Sequence, residues 1–447
     1  MSDFPSLSSL LIQGDDHRLK LDAHGRNSYG CQPKPKANLL SLGSSTASNI
    51  SPQQWVYAQR LHASMQKDVQ ETCLEKVKQT HTQYILGKLR KTCQLPEQTD
   101  IQLVDSGTHA HHLAMQYFCR KKPHVAWHII MVDALETGRG VPNALCLPDY
   151  NITCKTIAIR HTSGEPRSPD DIEQDFEQAT QIAIQKGLEV VLLMVDVSKT
   201  GYIAPSLHTM LKLRHKQPQS IHLLLDACQF RFSIETLNNY LHHDMVVIIT
   251  GSKFLAAPSF CAAVLIPHQT QQRQEPQPLG VLLRWHLALH HLQALNRLQS
   301  DACATWMQTL VFQIQTRLQH DKHLTYLSTP PIQRPEQTHI SKQAHWQHLP
   351  TIFPFLITID KKNISHKQAL RIFQSLQWDK EKPIQLGRPM PLMNKSEGEP
   401  SGVFRLCISA PMVIHAFEKE TYTHDSLEHV VYALQQLKEL AKKEALE

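Results

Sequence analysis

The stretch Ile221–Pro267 reads, in succession, IHLLLDACQF, RFSIETLNNYLHHD, MVVIITGSKFLAAPSF and CAAVLIP. Its apolar run Ile221–Leu225 ends in Asp226, and a second, Met245–Thr250, ends in a small turn that presents Lys253. Short apolar runs bounded by turn residues predict buried parallel strands. CAAVLIP follows the lysine turn too closely for a helical crossover, which predicts a strand antiparallel to its neighbour. Ligands of open α/β sheets gather at the carboxyl ends of the strands. One acid and one lysine therefore stand where a ligand is expected, and burying either is costly unless it is paired or used chemically.

Outward from this stretch the same pattern recurs. IQLVD leads into Ser106-Gly107-Thr108, between a strand and a helix, where free backbone N–H groups and two hydroxyls suit a phosphate. Ser and Thr in that position are equally ordinary helix caps. VAWHIIMVD predicts a strand followed by a glycine-containing turn around Glu136–Gly140, and EVVLLMVD places Ser198-Lys199-Thr200-Gly201 at its carboxyl end. Strands alternating with helices predict an α/β fold with a mainly parallel, doubly wound sheet.

The flanks differ in character. Residues 1–55 are rich in turn formers and predict an N-terminal arm. Within it Leu39–Leu42 suits a short strand, and the hydroxyl-rich turn Gly43-Ser44-Ser45-Thr46 suits either an anion site or plain capping. Ser51-Pro52 starts a helix predicted over about 52–80. Residues 56–323 form the large α/β domain, closing in a helical region over about 279–319. From 324 to 447 the pattern changes to a smaller α+β domain with an antiparallel sheet and a polar loop at Asn394–Ser401.

Composition narrows the function classes. Of 447 residues, 41% are apolar and 19% charged, the profile of a folded globular protein. Lys+Arg 46 against Asp+Glu 40 gives +6, and no basic cluster is interleaved with aromatics, so nucleic acid is not the expected partner. No apolar run approaches the roughly 20 residues of a membrane span. Ten cysteines without CxxC pairs, and no signal-peptide pattern at the start, predict reduced thiols in a cytoplasmic protein. Among 28 histidines, His109/His112 and His286/His290 have helical spacing, but no acid or cysteine completes either set, so no metal is expected. In VLLRWHLALHHLQAL, the apolar stripe predicts core or dimer packing and Arg284 an ordinary surface or interface ion pair.

A lysine that can form a Schiff base and a carboxylate that can hold a pyridine nitrogen protonated are what pyridoxal 5'-phosphate (PLP) requires. Here the order of SGT, DACQ, TGSK and a late FRLCIS resembles the fold-type I PLP-dependent enzymes. Within them it is most similar to the class V aminotransferase branch, which includes cysteine desulfurases and kynureninases. The likeness covers nearly the whole chain and lies in the order and spacing of the motifs.

The resemblance implies a role for each matching position. Lys253 would carry the cofactor and shuttle the substrate proton, and Asp226 would hold the pyridine nitrogen. Gln229 and Ser198 would contact the ring's phenolic oxygen. Ser106, Gly107 and Thr108 would bind phosphate, with Thr250 and Ser252 adding contacts. Arg405 would clamp the substrate carboxylate through a bidentate guanidinium pair. It further implies an aminotransferase acting on an amino acid or related amine, working as a homodimer. The alternatives on the same residues are a lyase or decarboxylase, and a silent PLP-fold binding protein. Two departures stand out. The family stacks a ring on the cofactor near Glu136-Thr137, where this chain has none and His109 is a substitute to weigh. No cysteine lies between Cys303 and Cys407, which argues against desulfurase chemistry.

Overall fold

The strands, in chain order, are β1 (Leu40–Leu42), β2 (Thr99–Val104), β3 (Trp127–Val132), β4 (Ile152–Ile157), β5 (Glu189–Asp196), β6 (Ile203–Ala204) and β7 (Ile221–Ala227). They continue with β8 (Val246–Thr250), β9 (Ala262–Pro267), β10 (Leu324–Tyr326), β11 (Ile352–Ile359), β12 (Lys362–Asn363), β13 (Ile384–Leu392) and β14 (Ser401–Cys407). This computed structural model describes residues 4–272, 274–298, 300–334, 346–393, 398–418 and 422–446; residues 394–397 of the expected polar loop lie outside them.

The large sheet has the order β2-β9-β8-β7-β5-β3-β4, with β6 on β5. β9 is antiparallel to both neighbours, and the pairs from β8 through β7, β5 and β3 to β4 are parallel. Because β9 reverses direction once on each side, β2 runs the same way as β8. Every carboxyl end except those of β9 and the short β6 therefore opens on one edge. The central strands are buried along nearly their whole length, as β8 throughout and β5 after Glu189 illustrate, because helices cover both faces. At the edge, β4 (ITCKTI) alternates exposed and covered residues.

The helices start where hydroxyl caps put them. Ser106, Ser168, Ser206 and Ser233 each accept a backbone N–H of the first turn, and Ser51 with Gln54 forms a full capping box ahead of Pro52. The helix expected over 52–80 is in fact two, Pro52–Glu71 and Leu74–Thr92, broken at Thr72-Cys73. The helical region before the second sheet is likewise two helices, Leu279–Asn296 and Ser300–His320.

A second sheet, β1-β13-β14-β11-β10 with β12 on β11, places FRLCIS in its centre. The arm contributes to it directly: β1 pairs parallel with β13, so the turn after Leu42 is delivered to the junction of the two sheets. Arg284 corrects an expectation here. It is fully buried, and its guanidinium donates to the carbonyls of Phe260 (2.7 Å), Leu11 (3.0 Å) and Gln13 (2.9 Å), fastening the arm to the helix Leu279–Asn296. A surface ion pair is excluded by that burial.

Candidate active site

The common edge of the large sheet gathers Ser106–Thr108 after β2, Glu136 after β3, Ser198 and Lys199 after β5, Asp226 in β7, and Thr250, Ser252 and Lys253 at the end of β8 and beyond. With Gln229 they line a cavity of about 280 Å³, closed by Ser44–Thr46 of the arm and by Arg388 and Arg405 of the second sheet. All ten residues singled out in the sequence face this one space.

Asp226 is 4% exposed and accepts the N–H of Cys228 on Oδ1 at 3.2 Å. Its Oδ2 lies 3.4 Å from His111 Nε2, an ion-pair contact longer than a formed charge-assisted hydrogen bond. Burial by itself would raise this carboxyl, but His111, then Lys253 and the Cys228 N–H, outweigh it and hold Asp226 well below the usual carboxylate range. His111 reaches this position from the helix Gly107–Lys121, one turn past Gly107, whose carbonyl takes Nδ1 at 2.6 Å. A carbonyl only accepts, so Nδ1 bears a proton and the ring meets the carboxylate through Nε2. The histidines noted for their spacing, His109 and His112, flank this one; His109 is exposed and does not line the cavity, which removes it as a ring-stacking substitute.

Lys253 is half-buried, and its Nζ has no hydrogen bond or ion pair with a described residue. At the helix start, Ser106 Oγ accepts His109 N–H at 3.3 Å, while the N–H groups of Gly107 and Thr108 precede the helical ladder. A side chain at Gly107 would stand 3.2 Å from Cys228 Sγ, so the close approach of this turn to β7 depends on glycine. Ser252 lines the cavity with no partner among the described residues.

Two hydroxyls face the cavity with their one donor already engaged, and Gln229 with one of its two N–H groups engaged. Ser198 Oγ donates to Glu136 Oε2 at 2.7 Å and accepts from the N–H of Tyr202, so the donor role the resemblance implies is closed to it. Thr250 Oγ1 donates to the Cys228 carbonyl at 2.7 Å, which leaves it only an acceptor for any anion. Gln229 Oε1 accepts from Ser44 Oγ at 2.6 Å and its Nε2 donates to the Ser44 carbonyl at 3.2 Å, so this amide ties the arm down. The physical reason is the same each time: a buried hydroxyl or amide takes the nearest acceptor.

Arg405 is buried on β14. Its guanidinium donates to the carbonyls of Arg388 (2.6 Å) and Lys199 (3.4 Å), Nε has no partner, and no carboxylate pairs with it among the described residues. Gly387, opposite on β13, makes room: a Cβ there would lie 3.2 Å from Arg405 Cζ and Nε. Glu136 acts on Arg405 only at a distance: no ion pair joins them, and its carboxylate accepts from Ser198, the Thr200 hydroxyl (2.7 Å) and the Thr200 N–H (3.0 Å), with Arg160 3.8 Å away.

Several cavity residues were not legible as such. Arg18 comes from the arm, pairs with Asp16 and reaches Thr108 Oγ1 at 3.4 Å. Lys199, Arg139 and Arg388 add three more cations to the wall. For His111 the available signal was its place one turn after a glycine at a strand-to-helix junction. For Arg18 there was none, because only the folded arm brings it here.

No family model matches the chain, and no curated protein matches it in sequence. Solved structures match nearly all of it. The glutamate decarboxylase domain of diaminobutyrate-pyruvate transaminase and L-2,4-diaminobutyrate decarboxylase from Vibrio parahaemolyticus aligns with a TM-score of 0.58 at 11% identity, covering 91% of this chain and 81% of that one. Oryza sativa TDC, solved with PLP, gives 0.53 at 11% identity over 91% and 83%. A phosphoserine aminotransferase from Cytophaga hutchinsonii gives 0.52 at 12% identity over 88% and 98%. At such identities the likeness establishes the fold, and it is that of the fold-type I PLP-dependent enzymes. Decarboxylases and aminotransferases stand side by side among these neighbours, so the class V branch is not singled out.

Proposed function

We propose that the protein is a PLP-dependent aminotransferase acting on an amino acid or related amine. The observation that carries the cofactor is the pair formed by a buried, ionised Asp226 and an unpartnered Lys253 in one cavity. Such a pair is costly in a merely structural role. Lys253 would carry PLP, which when bound would supply an electron sink for charge developing at the substrate α-carbon. Asp226, kept ionised chiefly by His111, would hold a proton on the ring nitrogen. The N–H groups of Gly107 and Thr108, with the hydroxyls of Thr108 and Ser252, suit the phosphate. Once the substrate amine has displaced it from the cofactor, Lys253 Nζ would take the proton from the α-carbon and return it.

Arg405 favours transamination over carbon dioxide loss. A carboxylate held by a buried guanidinium is stabilised as the anion, which opposes its departure as neutral CO₂ and leaves the C–H bond to break. Decarboxylation is the second reading, supported by the decarboxylase among the structural neighbours. Because Ser198 and Thr250 have no donor to offer, we also propose that a second copy of the chain completes the site in a homodimer; a monomer at micromolar concentration in sedimentation would remove that part.

Amine screening with product identification separates the reactions. Transamination converts the bound cofactor to its pyridoxamine form and requires a keto acid for turnover. Substrate consumption with release of CO₂, without either sign, would replace it with the second reading. Lys253→Ala should lose the borohydride-reducible adduct entirely; an adduct of unchanged yield would sink the lysine assignment.

A further inference from the structure

Charge around the cavity does not balance. Its wall carries two carboxylates, Glu136 and Asp226, and both are engaged by their own neighbours, Asp226 by His111 and Glu136 by Ser198 and Thr200. Five cations, Lys199, Lys253, Arg139, Arg388 and Arg405, face the same space without a carboxylate partner among the described residues. Arg139 and Arg388 are exposed, and water can satisfy them. Lys199 is different. Its ammonium donates to the Leu135 carbonyl at 2.9 Å, and its own carbonyl accepts from Arg405 at 3.4 Å, so a second cation sits directly beside the proposed carboxylate clamp.

Burial, Arg405, Lys253 and Arg139 together push the Lys199 ammonium down to about 7, against the opposing pull of Glu136. A lysine so placed costs stability at neutral pH unless something anionic arrives. In the reading above, the phosphate is served by Thr108 and Ser252, and the α-carboxylate by Arg405. That leaves Lys199 without an anion.

We propose that the substrate carries a second anionic group on its side chain, a carboxylate or a phosphonate-like oxyanion, and that Lys199 receives it with Arg388 and Arg139 at the rim. This rests on the PLP reading and adds the substrate class to it. An arriving anion stabilises the protonated amine, so binding above pH 7 takes up a proton.

The test uses the cofactor-loaded protein and three unreactive probes: butyrate, glutarate and 3-phosphonopropionate. Titration calorimetry at pH 8, in two buffers of different ionisation enthalpy, reads both Kd and proton uptake. Glutarate or the phosphonate should bind at least about tenfold tighter than butyrate, the worth of one charge-assisted contact. Glutarate, fully ionised at this pH, should take up close to one proton on binding, and butyrate should not. Lys199→Met should bring the ratio to within twofold and abolish the uptake, whereas Lys199→Arg should keep the ratio. Which dianion is preferred decides between carboxylate and phosphonate-like chemistry.

Equal binding of all three probes by the unaltered protein overturns the proposal, as does a preference that survives Lys199→Met. If that variant does not fold, proton uptake in the unaltered protein decides alone, and its absence with both dianions is refutation. Dianion preference without amine conversion would keep this anion site and overturn transamination. Amine conversion without dianion preference would do the reverse.

Discussion

Replacing His111 with phenylalanine tests whether Asp226 owes its charge to that ring. His111 Nε2 lies 3.4 Å from Asp226 Oδ2, and among the neighbours that offset the burial of that carboxyl it acts most strongly. Removing one partner of a buried pair costs about 3–5 kcal/mol, and we take about 3 because the imidazole also regains its hydration in the unfolded chain. Unfolding entropy of about 2.1 cal/mol/K per residue converts this to a fall in Tm of about 3 °C at pH 7.5. Scanning calorimetry on cofactor-stripped protein measures it. The sign with pH follows from a folded carboxyl held below its unfolded value of 3.8. Its stabilisation is fully present above that value and is lost as pH falls further toward the folded one. The gap between variant and parent should therefore be complete at neutral pH and narrow below about pH 4. His111→Phe combined with Asp226→Asn removes both partners and should recover most of the loss. A single variant within 1 °C of the parent, or a double variant whose losses simply add, would refute the coupling.

Two further outcomes follow from the second sheet and the arm. Gly387→Ala places a methyl 3.2 Å from the Arg405 guanidinium, so KM for carboxylate substrates should rise about tenfold while plain amines are unaffected; equal effects on both would detach Arg405 from the substrate. Arg284→Met cuts the donors that hold Leu11 and Gln13, so limited proteolysis within residues 4–46 should quicken about tenfold with the large sheet intact, and an unchanged cleavage rate would contradict the fastening role.

The strand ends were legible because they are local. An apolar run closed by a turn residue identifies itself, and a sheet whose neighbours run alike carries Asp226, Lys253, Ser198 and Ser106–Thr108 to one edge. The antiparallel β9 was legible too, from the shortness of the link after Lys253. The break at Thr72-Cys73 was not, since both sides of it are helical in pattern.

What the sequence determined by itself was which residue types stand at which strand ends, and through them the fold and the cofactor to expect. Only the tertiary structure decided which of those groups are free to act. Ser198 and Thr250 stand where expected, yet Glu136 and a backbone carbonyl take their protons, while Ser44, far away in the chain, takes Gln229. The same packing raised His111 from an unremarked residue, and Lys199 from one given no role, to parts of the cavity wall. Position along a strand is a property of the chain, whereas a hydroxyl's partner and an ammonium's charge are set by whatever the fold packs within about 3–4 Å of them.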